Sequence, residues 1–540
     1  MSEAIKELLD KYGSKIHNRR DLEKVKRVVC KQFQVATLLN SDIWKEYQTT
    51  IKAGGHRFKD LEESLKKRSV RTMSGVAPVA VLTKPYPCPG HCAYCPHEPD
   101  VPVSYLPNEP AVMRAIRCDY DPFRQVVWRL KSLENNGHHP TKIELIVIGG
   151  TWSYLPTAYK YWYVANCFKA ANDYSRLSAK MFDSAYNKST TNNLKIFKPI
   201  SAKLGLSALK LALAKEQHRN ETSRYNIIGL TLETRPDYIN KAEVVQMREL
   251  GCTRVEIGVQ IVDDDILKLN LRGHGVLEIE QATRLMKQYG LKITYHLMPA
   301  LPGATPIKDF QLFKRLFEDE RFQPDQIKFY PTVVTKGSLL YQWYRQGKYK
   351  PYSDKTLQDL IIRCKAVVPV YVRIMRLIRD IPGESIIAGN KITNLRQVLQ
   401  KRGVKCSCIR CREAKQGNAK SYKINILTYQ ASGGREYFIS ADSLDKEILF
   451  GFCRLRIDKN SPIATAIVRE LHVYGELAPI GQKKLVQHRG LGKKLLKQAE
   501  KKVFSLGFKK IAVISGVGVR SYYRKLGYRL QGGYMVKSVK

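Results

Sequence analysis

Apolar residues return every three or four positions through IKELLDKYG and DLEKVKRVVCKQF, so residues 1–50 read as helices joined by the basic turn KIHNRR (15–20). Past residue 120 the pattern begins to alternate. DPFRQVVWRLKSLENNG (121–137) is an amphipathic helix, and KIELIVIGG (142–150) is a buried strand that ends on paired glycines. Further strands are expected at RYNIIGLTLETRP (224–236), TRVEIGVQ (253–260), LKITYHLMPALPG (291–303) and DQIKFYPTVV (325–334). Helices at 239–251, 276–290 and 306–319 separate them. Continuous apolar strands between helices predict a parallel sheet covered by helices, in a partial or complete barrel.

Residues 151–223 interrupt that rhythm. Helices are expected around 157–185 and 204–218, and KSTTNNLKIFKPISAK (188–203) reads as a polar, basic flap or insertion. From about residue 420 the pattern changes again. Strands are expected at 421–430, 435–442 and 447–457, with two more strand-like runs in 463–480. A glycine-containing turn opens a helix over 487–507, a strand follows at 509–515, and 519–530 is a helix with its strand. These shifts divide the chain at 1–75, 76–390, 391–420 and 421–540.

Charge adds a partner to this picture. Lys and Arg outnumber Asp and Glu by 92 to 49, for a formal net charge of +43. Such an excess favours a polyanion, because basic surface recruits phosphate backbones by releasing counterions. The front section is a small basic helical unit that ends on Lys66, Lys67, Arg68 and Arg71, a plausible RNA contact. The start MSEAIKELLDKYG lacks an apolar signal core, and no run of 18 or more apolar residues occurs. No membrane association and a cytoplasmic, reducing location are therefore expected.

Six of the twelve cysteines lie in two tight triplets, which is metal-ligand usage and not a disulfide framework. Cys88, Cys92 and Cys95 share the proline- and glycine-rich loop VLTKPYPCPGHCAYCPHEPD (81–100). Three thiolates there suit a four-iron cluster with one iron left open, or a structural zinc with His91 or His97 as fourth ligand. The second triplet, Cys406, Cys408 and Cys411 in CSCIRC, suits a zinc knuckle that staples two modules together. Its fourth ligand must come from elsewhere, and His56 is a weak candidate. In a barrel, the C-terminal strand ends face the active site. Gly149, Gly150 and Thr151 stand at one such end, Glu233, Thr234 and Arg235 at another, Gln260 at a third and His296 near a fourth.

The first cysteine triplet resembles the signature of the radical S-adenosylmethionine superfamily. GLTLETRPDYI (229–239), RVEIGVQIVDDDILKLNLRGH (254–274) and YHLMPALPG (295–303) narrow the resemblance to the family of Elongator catalytic subunits. The C-terminal module resembles the GNAT acetyltransferases, whose glycine motif falls on Gln487, Gly490 and Gly492 and is followed by SYYRKLGY. The resemblance covers roughly residues 70–540. It implies an α/β fold: a partial (β/α) TIM-like radical SAM barrel followed by an α+β GNAT acetyltransferase domain, after the basic helical N-terminal region.

The same resemblance implies roles. Cys88, Cys92 and Cys95 would hold a [4Fe-4S] cluster, with Gly149 and Gly150 against the methionine end of S-adenosylmethionine. Glu233 and Gln260 would complete the cofactor pocket, and the usual Gly-Gly-Glu reads Gly-Gly-Thr here. Apart from the resemblance, Lys84 just before the cysteine loop either steers an anionic group in the shared cleft or faces solvent. Gln487, Gly490 and Gly492 would hold the pyrophosphate of acetyl-CoA, with Tyr522 and Tyr523 near the thioester. One of these tyrosines is a candidate proton donor, and packing beneath the cofactor is the alternative. The family's substrate is tRNA, entered by the anticodon loop. Hydrogen taken from the acetyl methyl lets that carbon add to the wobble uridine, ending as 5-carboxymethyluridine. A reductant or electron donor is required, and Elongator-like partner subunits are left open. Two competing classes are a protein lysine acetyltransferase with a structural metal, and a non-catalytic RNA-binding scaffold.

Overall fold

Seven parallel strands organise the centre of the molecule, and their two faces differ sharply. The computed structural model describes residues 1–66, 75–177, 199–392, 394–414, 421–474 and 490–539. Among these, β1 (Val76–Leu82), β2 (Lys142–Ile148), β3 (Asn226–Thr234), β4 (Arg254–Gln260), β5 (Lys292–Leu297), β6 (Gln326–Phe329) and β7 (Arg373–Arg376) form one sheet in sequence order. Every neighbouring pair is parallel, and β1 and β7 stay unjoined, so the barrel is partial. Strand alternation sends Val79, Leu145, Leu232, Ile257 and Ile293 to the face covered by helices, where all are buried. The opposite, concave face carries Glu144, Thr231, Arg254, Glu256, Lys292 and Lys328.

β1 escaped the sequence pattern, because Pro78 lies inside it and a proline argues against a central strand. Here β1 is an edge strand, paired only with β2. β6 is shorter than the expected 325–334, and β7 has only four residues, too few to show a period. The helix expected over 157–185 is observed as Thr157–Asp173, and residues 178–198 lie outside the described residues. So does most of the polar segment 188–203, together with Lys67, Arg68 and Arg71.

The N-terminal helices Ser2–Tyr12, Arg19–Gln32, Asn40–Lys52 and Lys59–Leu65 enclose a core of their own around Leu8, Leu22, Val29, Ile43 and Tyr47. The second helix is capped by Asn18, whose side chain accepts from the backbone N–H of Arg20 and Asp21.

The second sheet contains β8 (Tyr422–Ala431), β9 (Gly434–Ser443), β10 (Leu449–Ile457), β11 (Ala466–Val473), β12 (Lys510–Val513), β13 (Arg529–Gln531) and β14 (Tyr534–Ser538). Its order is β13-β14-β12-β11-β10-β9-β8, antiparallel except for the β11–β12 pair. The first of the two runs expected in 463–480 is β11, and residues 475–489 lie outside the described residues.

This sheet docks beneath the N-terminal ends of the barrel strands through buried charge. Asp325, just before β6, pairs with Arg469 of β11 at 2.5 Å and with Arg454 of β10 at 3.6 Å, and none of the three is more than 1% exposed. Arg454 also reaches Glu470 at 2.9 Å and donates to the carbonyl of Tyr371 at 2.6 Å. Tyr371 stacks on Tyr429 with ring centroids 4.0 Å apart. At the other side of the seam, Arg520 pairs with Glu221 at 3.2 Å and Arg248 donates to the carbonyl of Gly533.

Removing one member of such a buried group strands the others' charge, at a cost of about 3–5 kcal/mol. Asp325→Ala is therefore expected to lower unfolding free energy by about that amount in a denaturant titration. The seam also has an acid limit. Burial opposes ionisation of Glu470, but Lys292 and Arg454 outweigh it and hold the carboxyl at about 2. Its contribution is fully present above the unfolded value, about pH 4.3, and is lost as the pH falls toward the folded one. Thermal melts from pH 7 to pH 2 check this, and the melting temperature of Glu470→Gln should fall less steeply below pH 4 than that of the parent.

Candidate active site

The C-terminal ends of the barrel strands gather the residues singled out in the sequence. β2 turns at Gly149 and Gly150, whose φ angles of +126° and +82° exclude ordinary side chains. A Cβ on Gly149 would lie 2.3 Å from Thr83 Oγ1, while one on Gly150 would meet nothing within 4 Å. Thr83 Oγ1 donates to the carbonyl of Gly149 at 2.9 Å, tying the end of β1 to this turn. Beside it, Cys88 Sγ is 3.7 Å from Thr151 Oγ1. Lys84 is exposed and holds its ammonium 5.2 Å over the ring of Tyr159.

The cysteine loop is pinned at both sides. The N–H of Ala93 donates to the carbonyl of Asn270, and the carbonyl of Ala93 accepts from the N–H of Leu340. Cys92 is buried against two guanidiniums, with Arg272 Nη1 at 3.1 Å and Arg235 Nη1 at 3.7 Å from its sulfur. A hydrogen bond with Cys95, aided by Arg272 and Arg235, pulls the Cys92 thiol down to about 4 despite burial. Arg235 is in turn fixed by Asp237 at 2.8 Å and by the carbonyl of Arg272. Neither Arg272 nor the role of Arg235 was legible in advance, since isolated arginines between helices carry no periodic signal.

The three sulfurs of this loop do not converge as an ion's ligands do. Among the described residues, Cys406, Cys408 and Cys411 form such a group, with all three sulfurs within 4.8 Å of one another. A single zinc, bonded at about 2.3 Å to each thiolate, requires that closeness. A four-iron cluster seats each thiolate on a separate iron and accepts a wider set. The second triplet has the convergence a single ion needs, and the first loop, flanked by two guanidiniums, does not. His56 is exposed and is not part of the second group.

Glu233 ends β3, pairing with His296 Nδ1 at 3.4 Å and accepting from the Tyr105 hydroxyl at 3.1 Å. His296 Nε2 is 2.9 Å from Glu256, which is also paired with Lys328. Burial opposes ionisation of Glu256, yet Lys328 and His296 hold its carboxyl far below the usual range. Gln260 takes a left-handed φ of +68°, and its Oε1 is buried without a hydrogen-bond partner. The polar chain Tyr105, Glu233, His296, Glu256 and Lys328 runs down the concave face from the cysteine loop toward the second sheet. Strand alternation signals it in the sequence, but such residues could equally face solvent on a one-sided sheet.

In the second sheet β11 follows β10 over its whole length, yet it pairs with β12 only through Ala466–Val468. β12 ends at Val513, so beyond Val468 β11 runs on to Val473 without it and leaves, among the described residues, an unpaired edge, a wedge in the sheet. At its side, Gly490 has φ +70° and caps the helix Leu491–Ser505. A Cβ on Gly492 would stand 3.1 Å from the Tyr522 hydroxyl and 3.7 Å from Val473, so a larger residue there would press the tyrosine aside. Tyr522 is 36% exposed, whereas Tyr523 is buried and sits edge-on to Tyr522 and Tyr528. The pair therefore divides into one available hydroxyl and one packing ring. Gln487 lies outside the described residues.

Comparison with known proteins bears on both halves. The radical SAM superfamily matches residues 203–315, the radical SAM C-terminal domain matches 324–403, and the acetyltransferase (GNAT) family matches 418–528. A tRNA uridine(34) acetyltransferase of Dehalococcoides mccartyi (strain CBDB1) is 44% identical over 490 residues, covering 87% of this chain and 99% of that one. Human Elongator complex protein 3 is 38% identical over 512 residues, covering 89% and 87%. The chain belongs to the tRNA uridine(34) acetyltransferase and Elongator complex protein 3 family. Within that family, a solved structure of archaeal Methanocaldococcus infernus Elp3 with an N-terminal deletion (1–46) has a TM-score of 0.69 at 35% identity. It covers 86% of this chain and 100% of that one. This member of the family is an enzyme with radical SAM and GNAT domains, so the partial barrel and the sheet with the wedge are its two catalytic modules.

The glycine pair makes a separable prediction. Gly149→Ala forces a clash with Thr83 on top of a positive φ, whereas Gly150→Ala incurs only the backbone penalty of about 1–2 kcal/mol. Calorimetry should record the larger loss of melting temperature for Gly149→Ala, and equal losses would remove the close approach as the reason for that glycine.

Proposed function

We propose that this enzyme installs a carboxymethyl group on the wobble uridine of tRNA, using acetyl-CoA and S-adenosylmethionine. The observation that carries the reading is the juxtaposition, in one rigidly sealed chain, of a thiol loop above the barrel and an acyl-CoA wedge beneath it. An acetyltransferase acting on lysines has no use for the upper site. Uracil carbon 5 is a poor nucleophile and an acetyl methyl a poor electrophile, so joining them needs radical activation that side chains do not provide. Bound together at Cys88, Cys92 and Cys95, a [4Fe-4S] cluster and S-adenosylmethionine supply a one-electron route to hydrogen abstraction from such a carbon.

The remaining work belongs to the chain's own residues. Arg272 and Arg235 hold Cys92 in place and, after Cys95, favour its thiolate. Gly149 and Gly150 bring backbone close to the methionine end, and Glu233 and Gln260 offer acceptors beside it. Gln487, Gly490 and Gly492 hold the pyrophosphate on glycine-loop amides and the helix N-terminus. Tyr522 presents its hydroxyl at the thioester as the candidate proton donor, while Tyr523 supports it. Zinc on Cys406, Cys408 and Cys411 braces the linker, which Arg412 already ties to Val370 of the barrel and Asp442 of the second sheet, both at 2.8 Å. The charge of +43 supplies the attraction for tRNA, and the anticodon loop brings a base that can be splayed out of its stack. An external electron donor completes the set.

Mass analysis of tRNA after anaerobic incubation with reductant, S-adenosylmethionine and acetyl-CoA tests the reading. Cys92→Ala should abolish the carboxymethyl product and leave tRNA binding intact. Gly490→Leu should lose acetyl-CoA binding with unchanged iron content, and Cys408→Ala should lose zinc and keep iron. Product formation by Cys92→Ala would defeat the radical role and favour a plain acetyltransferase.

A further inference from the structure

Seven strands that do not close leave the barrel with a free side. β7 pairs only with β6, so nothing among the described residues continues the sheet beyond it. The register sets Lys328 beside His296 and Arg376 beside Lys328, so Arg376 ends the polar row on the concave face. It ends that row in the open. The Arg376 side chain is 47% exposed, against 11% for Lys328. Arg376 pairs with Asp380 in the loop after β7, whose side chain is 59% exposed. An exposed pair of this kind contributes little to folding, so the fold does not account for it.

Two further side chains frame the opening. Tyr330 is half-buried and edge-on to His296, with ring centroids 5.2 Å apart. Its hydroxyl is neither buried nor hydrogen-bonded among the described residues. Arg379 donates to Ser104 Oγ at 3.0 Å, pairs with Glu109 at 3.3 Å and lies 5.2 Å over the ring of Tyr105. These contacts join the loop after β7 to the segment that follows Cys95. The opening is therefore beside the cysteine loop, and its polar groups stand in reach of solvent.

Charge and pattern together choose the ligand. Arg376, Arg379 and Lys328 are offset by Asp380, Glu109 and Glu256, which leaves no excess to draw in a phosphate. What the exposed pair offers is an N–H donor of Arg376 next to an acceptor oxygen of Asp380. Uracil carries the converse in its O4 acceptor and N3–H donor. Cytosine carries an amino donor and a ring-nitrogen acceptor there, which would set donor against donor and acceptor against acceptor.

We propose that Arg376 and Asp380 read the O4 and N3–H edge of the target uracil, with the Tyr330 hydroxyl as a neighbouring donor. The ligand rests on the reading above, in which a uridine leaves its stack to enter the barrel, where single-stranded bases are read on this edge. Held by O4 and N3 on the β7 side, the ring turns carbons 5 and 6 back into the barrel. The pair thus selects the base and aims the carbon that reacts.

The test uses the full chain without reductant, S-adenosylmethionine or acetyl-CoA. Fluorescence anisotropy measures binding of two anticodon stem-loop RNAs that differ only in uridine or cytidine at the wobble position. The parent should bind the uridine loop about tenfold more tightly, the discrimination expected of one well-made paired contact. Arg376→Leu and Asp380→Ala should each bring that ratio to about one, with the cytidine loop serving as the control for lost charge. Both side chains are largely exposed, and Asp380→Ala decides the matter if Arg376→Leu fails to fold. Equal affinity of the parent for the two loops, or an unchanged ratio in either folded variant, overturns the proposal and leaves the tRNA reading standing. Failure of the parent to bind either loop defeats that reading and the proposal with it.

Discussion

The molecule depends on Asp325. A carboxylate with no exposure, held between Arg469 and Arg454, cannot be solvated, so it is stable only while both guanidiniums stay in place. That requirement fixes the second sheet against the barrel in one orientation, since a rotated sheet would bury the same charges unpaired. Burial opposes the ionised form, and the two arginines outweigh it and hold Asp325 far below the usual carboxylate range. The same side chain accepts from the backbone N–H of Ile293 at 2.9 Å, so the seam is anchored to β5 as well as to β6. A hydrophobic seam could provide equal stability with less directional specificity.

That orientation lets β11 serve both modules at once. Successive residues of a strand point to opposite faces. Glu470 and Tyr474 face the barrel, where they meet Lys292 and Arg373. Val473 on the other face borders Gly492 and the wedge. One strand therefore borders both the Gly492 side of the second sheet and the floor of the lumen. Alternation in β2 through β6 continues this logic upward, with apolar residues toward the helices and a charged series toward the lumen.

The alternation of strand and helix was legible because β3, β4 and β5 are long and buried, so their apolar runs stand out. β1 and β7 were not, for reasons of the strands themselves: a proline in one, four residues in the other. The cysteine triplets, the glycine pair and the glycine-capped helix could be read from spacing, since each demands residue types that few other contexts use. The Asp325 seam could not. Asp325, Arg454 and Arg469 look like ordinary surface charges in the sequence, and only the fold reveals that 129 and 144 residues of separation close into ion pairs. Arg272 at Cys92 was hidden for the same reason, being a long-range contact made by a residue in an irregular turn.

The two cysteine triplets show how little separates the chemistries. CSCIRC winds its last residues into the short helix Ile409–Arg412, and the tight turn gathers three sulfurs about one point. The first loop has two more intervening residues between its first two cysteines and is held from both sides. Asn270 and Leu340 grip the backbone of Ala93 between Cys92 and Cys95, and Cys88 is drawn away beside Thr151. Collapse of the loop around a single ion would break these contacts and separate Cys92 from the two guanidiniums that favour its thiolate. The clamp thus keeps the three sulfurs from gathering about one point as those of the second triplet do. It also ties the loop to the turn after Leu269, so that the cysteines and Arg272 move as one unit with the end of the barrel.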